Sequence, residues 1–166
     1  MEAIFRRRSI RKYKPIKISE DMLENLLRAG MSAPSAVNQK PWHFIIIEDR
    51  TKLDEIATTH PYAKMLYEAP LAICVCANMN LGDFKHYWPQ DCSAATENIL
   101  IEAEHLGLGA VWLGVYPVED LMEGAKKVLN LPDDIVPFCF ISIGYPNEEK
   151  KHYDRFDKAR VHYNNW

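Results

Sequence analysis

The sequence predicts helices packed over a β-sheet, in the α/β or α+β class. Short apolar runs rich in β-branched residues alternate along the chain with stretches of helical period. A length of 166 residues with 48% hydrophobic composition suits one domain with a full core, where two domains would each be marginal. No repeat with a period of about 20 to 50 residues is present, and no low-complexity linker divides the chain.

The elements follow in order. Ser19 can cap a helix over 20–30, with Glu20 and Asp21 at the positive end of its dipole and Met22, Leu23, Leu26 and Leu27 on one stripe. The loop SAPSAVNQKP then leads into WHFIIIE, a buried strand. Asp49 can cap a short helix with Leu53, Ile56 and Ala57 inward, and Pro61 and Pro70 bracket a further helical turn. LAICVCANM is the second strand. Residues 80–90, NLGDFKHYWPQ, have no clear period, so Phe84, Tyr87 and Trp88 belong to a packed lid or a binding loop. A helix is expected from Asp91 to Gly107, which suits a C-terminal cap. GAVWLGVY is the third strand. Residues 118–130 form a helix stopped by Pro132, and VPFCFISIG is the fourth strand. The remainder is too polar for core, although ARVHYNNW alternates as a strand does, and a second subunit is a natural place for such a tail.

Charge narrows the function. The formal net charge is −3, yet residues 6–17 hold seven of the twenty basic side chains and residues 150–160 hold five more. Residues 18–149 carry eight basic and twenty acidic groups. A body of that sign repels polyanions, so a nucleic-acid track is not expected, whereas two basic chain ends that met would form a local anion site. No apolar run is long enough to span a bilayer and no secretory leader is evident, so the expected protein is soluble and cytoplasmic, with its four cysteines reduced.

Several chemistries lose weight. GxxxxGK[ST], GxGxxG after the first strand, HExxH and GxSxG are all missing. Glu102 and His105 have a di-iron spacing, with Glu97 upstream, but there is no second such pair, so an exposed helical face explains them. Cys92 near a helix start has no histidine placed beside it, and Cys74 and Cys76 point to one face of a strand without a second ligand pair. No metal site is expected. In SAPSAVNQKPW, the short polar side chains of Ser35 and Asn38 and the stiff Pro41–Trp42 fit either a plain helix-to-strand connection or a preorganised rim for a flat ligand.

Five blocks in order, RRSIRKY, SAPSAVNQKPWHF, EAPLAICVCA, DCSAATENILIEAEHLGLGAVWLG, and ISIGYP followed by KARVHYNNW, span nearly the whole chain. Together they resemble the flavin-dependent nitroreductase family. The resemblance implies a three-layer α/β/α sandwich of the α+β class, with a central, mostly antiparallel sheet. It also implies an intertwined homodimer in which residues 1–166 form one FMN-binding domain and 150–166 are an extension packing on the partner subunit. It assigns the flavin phosphate to Arg7, Arg8, Ser9 and Arg11 on one side and Lys158 and Arg160 on the other, where guanidinium groups make charge-assisted hydrogen bonds. It sets Pro34, Ser35 and Asn38 against the ring and ribityl chain, commonly from the other subunit, and Leu113 and Gly114 where backbone N–H groups approach the reactive flavin nitrogen. Lys40 departs from the family's usual glutamine, and the 80–90 segment is short for a lid.

The implied activity is transfer of hydride from NADH or NADPH and, by a ping-pong cycle, reduction of a small-molecule acceptor such as a nitroaromatic or quinone, with no side chain required as acid or base. Dehalogenation or flavin reduction is the near alternative. A basic-armed, non-catalytic module for polyanions or a protein partner is the alternative from another class, and it predicts salt-sensitive nucleic-acid binding without flavin absorbance.

Overall fold

The computed structural model describes residues 2–151 and 154–166. Four strands, β1 (Trp42–Ile47), β2 (Leu71–Asn78), β3 (Gly109–Gly114) and β4 (Ile135–Gly144), form one sheet in the order β1-β2-β4-β3. Every neighbouring pair is antiparallel. The helices are α1 (Glu2–Arg6), α2 (Glu20–Met31), α3 (Arg50–Thr59), α4 (Trp88–His105) and α5 (Glu119–Leu129).

The period of two along the strands sorts the core into two layers. From β2, Leu71, Ile73, Val75 and Ala77 face Leu26 of α2 and Cys92, Ala95, Ile99 and Ala103 of α4. Ala72, Cys74 and Cys76 point the other way, toward Leu53, Ile56 and Ala57 of α3 and Ala125 of α5. Helices thus cover both faces of the antiparallel sheet, and the three-layer expectation holds. Both predicted caps are in place: the Ser19 hydroxyl accepts from Met22 N–H and the Asp49 carboxylate from Lys52 N–H.

Some boundaries differ from expectation. α4 begins at Trp88, not Asp91, because Pro89 sits in the first turn, where its missing N–H costs nothing. Trp88 is buried with its ring 4.6 Å from Tyr116 and 5.9 Å from Phe138, so the 80–90 segment ends in core while Phe84 and Tyr87 stay half exposed. α5 ends at Leu129, within a residue of expectation, and Asn130 caps it in the left-handed conformation (φ 51°) ahead of Pro132. α1 was not foreseen; it lies on α4, with Ala3 buried and Arg6 paired to Glu104 at 3.4 Å. The strand-like alternation of ARVHYNNW does not make a strand here: the segment is exposed and opens on a 3-10 turn at Lys158–Arg160, and it pairs with no strand among the described residues. Of the C-terminal extension, residues 152 and 153 lie outside the described residues.

β4 carries a bulge. Val75 pairs with Cys139 but Cys76 with Pro137, leaving Phe138 as the extra residue. The Phe138 carbonyl accepts from both Val115 and Tyr116 N–H, at 3.1 and 3.0 Å, and so turns the chain out of the sheet directly after Gly114.

Candidate active site

The basic segment after α1 lies along the edge of the sheet. Ile10 N–H donates to Ala110 O at 3.0 Å beside a parallel bridge between Ser9 and Ala110, and Lys14 N–H donates to Tyr145 O at 2.9 Å. Two glycines make room for it. Gly109 and Gly144 face each other in register. A Cβ at Gly109 would stand 2.7 Å from Ile10 Cβ, and one at Gly144 would stand 2.8 Å from both Tyr13 Cδ1 and Pro70 Cδ. The buried Tyr13 hydroxyl donates to Ile10 O at 2.6 Å and lies 3.2 Å from Ser142 O. Burial pushes its pKa up, so it remains a donor.

The predicted residues of this segment have different surroundings. Arg8 turns inward, its Nε donating to Lys151 O at 3.1 Å and its Nη1 to Arg7 O and Phe5 O at 2.9 and 3.4 Å. Arg7 pairs with Glu97 of α4 at 3.1 Å. Arg11 is exposed, and its N–H donates to Glu148 Oε1 at 2.6 Å. Burial pushes the Glu148 carboxyl up, but the Arg11 N–H, the Lys150 ammonium and the Lys12 N–H outweigh it and hold the group below its usual range. Arg7 and Arg8 line a cavity of about 290 Å³ with Ile4, Phe5, Asp154, Arg155 and Phe156. Lys158 and Arg160 do not line it: both are exposed, and Arg160 pairs with Asp157 at 3.1 Å. The C-terminal segment brings Arg155 there instead.

At a rise of about 3.4 Å per residue, Gly114 lies about 14 Å along β3 from the Ser9 contact. Leu113 is buried against the α3 and α5 layer, whereas Gly114 is exposed and a Cβ there would meet nothing within 4 Å. Its carbonyl is held at 2.8 Å by Nε2 of buried His60. Tyr62 N–H donates to Nδ1 of the same ring at 3.2 Å, which leaves Nε2 as the protonated nitrogen.

The loop between α2 and β1 holds an unusual backbone. Val37, Asn38 and Lys40 have φ of 44°, 58° and 48°. Such left-handed residues without glycine cost about 1–3 kcal/mol each, so the surroundings must hold them. Ser35 Oγ accepts from Lys40 N–H at 3.0 Å, while Pro34 and Asn38 face solvent. Asp91, at the start of α4, is buried, with its carboxylate accepting from Ala36 N–H at 2.9 Å and from Gln39 Nε2 at 2.7 Å. Sequence reasoning missed Asp91, Gln39, His60 and Glu148; only the acidic first turn of α4 gave any signal.

The profile of the nitroreductase family matches residues 4–60 and 57–145. The chain belongs to the nitroreductase family. A relative from Methanothermobacter thermautotrophicus, provisionally named NADH dehydrogenase/NAD(P)H nitroreductase, is 46% identical over 166 residues, covering 100% of this chain and 87% of its own. An FMN-dependent nitroreductase of Clostridium difficile is 34% identical with a TM-score of 0.92, covering 100% of both chains. A Desulfovibrio desulfuricans protein, provisionally named a nitroreductase and solved in complex with FMN, is 28% identical with a TM-score of 0.85, covering 99% of this chain and 96% of its own.

The cysteines of this nitroreductase-family protein are core residues. All four are free and buried, with Cys74 and Cys76 on one face of β2, their Sγ atoms 3.5 Å apart. Burial pushes the Cys74 and Cys92 thiols well up and Cys139 up to about 12. A thiol reagent at neutral pH is expected to leave the native protein unmodified and to label all four sites only after unfolding; fast labelling of Cys92 would contradict this burial. Among the described residues no group of three or more His, Cys, Asp and Glu side chains could hold a metal, and no helix is long and apolar enough to cross a membrane.

Proposed function

We propose that this nitroreductase-family protein is an FMN-dependent NAD(P)H oxidoreductase. When bound, FMN supplies hydride transfer between the reduced nicotinamide and a second acceptor. The observation that carries the reading is the layout along β3. A basic segment is docked at its start, and about 14 Å further on an exposed glycine has open space above it. A flavin phosphate fits the first and the edge of a flat ring fits the second.

The chain's own residues bind, orient and exclude. Arg7 and Arg11 offer guanidinium groups to the phosphate and Ser9 a hydroxyl, while Arg8 supports them from beneath through the carbonyls it holds. His60 fixes the Gly114 carbonyl, which orients the backbone presented to the ring. Pro34, Ser35 and Asn38 form a rigid rim, and Leu113 anchors β3 in the core. Lys158 and Arg160 complete the phosphate site once the C-terminal extension packs on a partner. The protein works as a homodimer of single-domain subunits in the cytoplasm. Support for the dimer comes from exposed apolar side chains at both chain ends, Phe5 at 67%, Phe156 at 74% and Trp166 at 100% exposure.

Nitroaromatics and quinones are the acceptors to test, in a ping-pong cycle in which nicotinamide and acceptor use the same pocket in turn. Purified protein titrated with FMN and scanned before and after anaerobic NADH or NADPH is expected to hold a flavin band that bleaches with the donor and returns with the acceptor. Protein that stays colourless after reconstitution overturns the reading. Relative rates over nitroaromatic, quinone, halogenated and free-flavin acceptors then identify the physiological class.

A further inference from the structure

We infer that Asp91 is a positioning residue for the flavin: its buried carboxylate holds the strained Ala33–Lys40 loop in the shape that meets the cofactor and, through Gln39, ties that loop to the 80–90 segment. The inference rests on the reading that Pro34, Ser35 and Asn38 face the flavin.

Four observations carry it. The loop has three non-glycine residues at positive φ, and one of them, Val37, is β-branched, which makes it a genuine outlier. Its internal hydrogen bonds, Asn38 N–H to Ser35 O at 3.0 Å, Gln39 N–H to Ala36 O at 2.9 Å and Lys40 N–H to Ser35 Oγ at 3.0 Å, close small rings but do not fix the loop to the body. That fixing falls to the two oxygens of Asp91. Oδ1 takes Ala36 N–H and Oδ2 takes the Gln39 amide, so one carboxylate grips the loop on both sides of left-handed Val37 and Asn38. The same Gln39 nitrogen lies 3.3 Å from Phe84 O, in the 80–90 segment read from the sequence as a packed lid or a binding loop.

The chemistry suits an anchor. A carboxylate accepting from neutral donors makes charge-assisted bonds, and its place in the first turn of α4 lets the helix dipole stabilise the charge. α4 is the longest helix and is packed into the core along its length, so the anchor point is rigid. A site built on a loop is only as precise as the groups that hold the loop.

The test uses wild type, Asp91→Asn, Asp91→Ala, Gln39→Ala and the double variant Asp91→Ala/Gln39→Ala. FMN dissociation constants, the shape of the bound-flavin absorbance band and amide hydrogen exchange at 36–40 in the flavin-free protein are measured. Asp91→Ala is expected to weaken FMN by about thirtyfold or more, with an altered flavin band, because two donors lose their acceptor. Gln39→Ala is expected to cost about fivefold, and the double variant less than the product of the two single losses, because the Asp91–Gln39 contact is shared while Gln39 also reaches Phe84 O. Asp91→Asn should fall between, since its Oδ1 still serves Ala36 N–H while its Nδ2 meets Gln39 donor to donor. Exchange at 36–40 should quicken by about tenfold or more in Asp91→Ala.

Unchanged exchange there overturns the inference, as does an Asp91→Ala protein that binds FMN with wild-type affinity and spectrum. Exchange that quickens in Asp91→Ala while even the wild type binds no FMN overturns the flavin reading and the positioning role with it, and leaves Asp91 a structural anchor only.

Discussion

Replacing Gly144 with alanine is expected to lower stability by about 1–3 kcal/mol, the usual range for overpacking a well-filled site, and to weaken FMN binding in the same variant. The new methyl would stand 2.8 Å from atoms of two rigid rings, Pro70 and Tyr13. Neither can yield by rotating a flexible tip. Tyr13 is also committed at its far end, where its hydroxyl donates to Ile10 O. Moving Tyr13 therefore moves Ile10, which is seated on Gly109 directly across the ladder and is flanked by Ser9 and Arg11. Stability and cofactor affinity are thus coupled through one pair of opposed glycines. Gly124 is the control: it lies in α5 with open space around it, so alanine there should gain up to about 1 kcal/mol from helix propensity and leave FMN unaffected. Thermal unfolding and FMN titration of both variants decide; a Gly144→Ala protein as stable as wild type would show that the basic segment is not seated as described.

The arginines of FRRRSIRKYK are expected to separate by role. Arg7→Ala and Arg11→Ala should each weaken FMN by about tenfold to a hundredfold, the worth of a hydrogen bond to a charged group, with unfolding temperatures close to wild type. Arg8→Ala should do the reverse in proportion, lowering the unfolding temperature first. Its guanidinium already serves the carbonyls of Phe5, Arg7 and Lys151, and only 9% of the residue is exposed. Truncation would remove a buried side chain and leave three part-buried carbonyls without their donor. Riboflavin, which lacks the phosphate, supplies the second readout: Arg7→Ala and Arg11→Ala should bind it as wild type does. Equal losses for riboflavin and FMN would move the phosphate away from this segment.

Much of the fold was legible because its signals are local. The Ser19 and Asp49 caps, the stripe of α2 and the four apolar runs depend on residues a few positions apart, and each appears where expected. α1 escaped because five residues give too little period, and the start of α4 was placed late because residues 80–90 show no clear period, whereas Pro89 is at home in the first turn. The tail deceived for another reason. Alternation in ARVHYNNW satisfies the pattern of a strand, but a strand also needs a neighbour to take its backbone hydrogen bonds, and among the described residues the segment pairs with no strand.

The site divides along the same line. Which residues are proposed to carry the chemistry, the basic segment with its serine, the SAPSAVN loop and the glycine closing the third strand, could be named from the sequence because five ordered blocks resemble the nitroreductase family; charge by itself pointed only to a local anion site. Their arrangement belongs to the tertiary structure alone. That Arg8 faces inward depends on a carbonyl 143 positions away, that Arg11 is tethered depends on Glu148 at a separation of 137, and the N–H of Ala36 in the loop is held by Asp91, 55 residues on. Contacts of that range leave no periodic trace in a sequence, since either partner reads as an ordinary surface charge until the sheet brings them together.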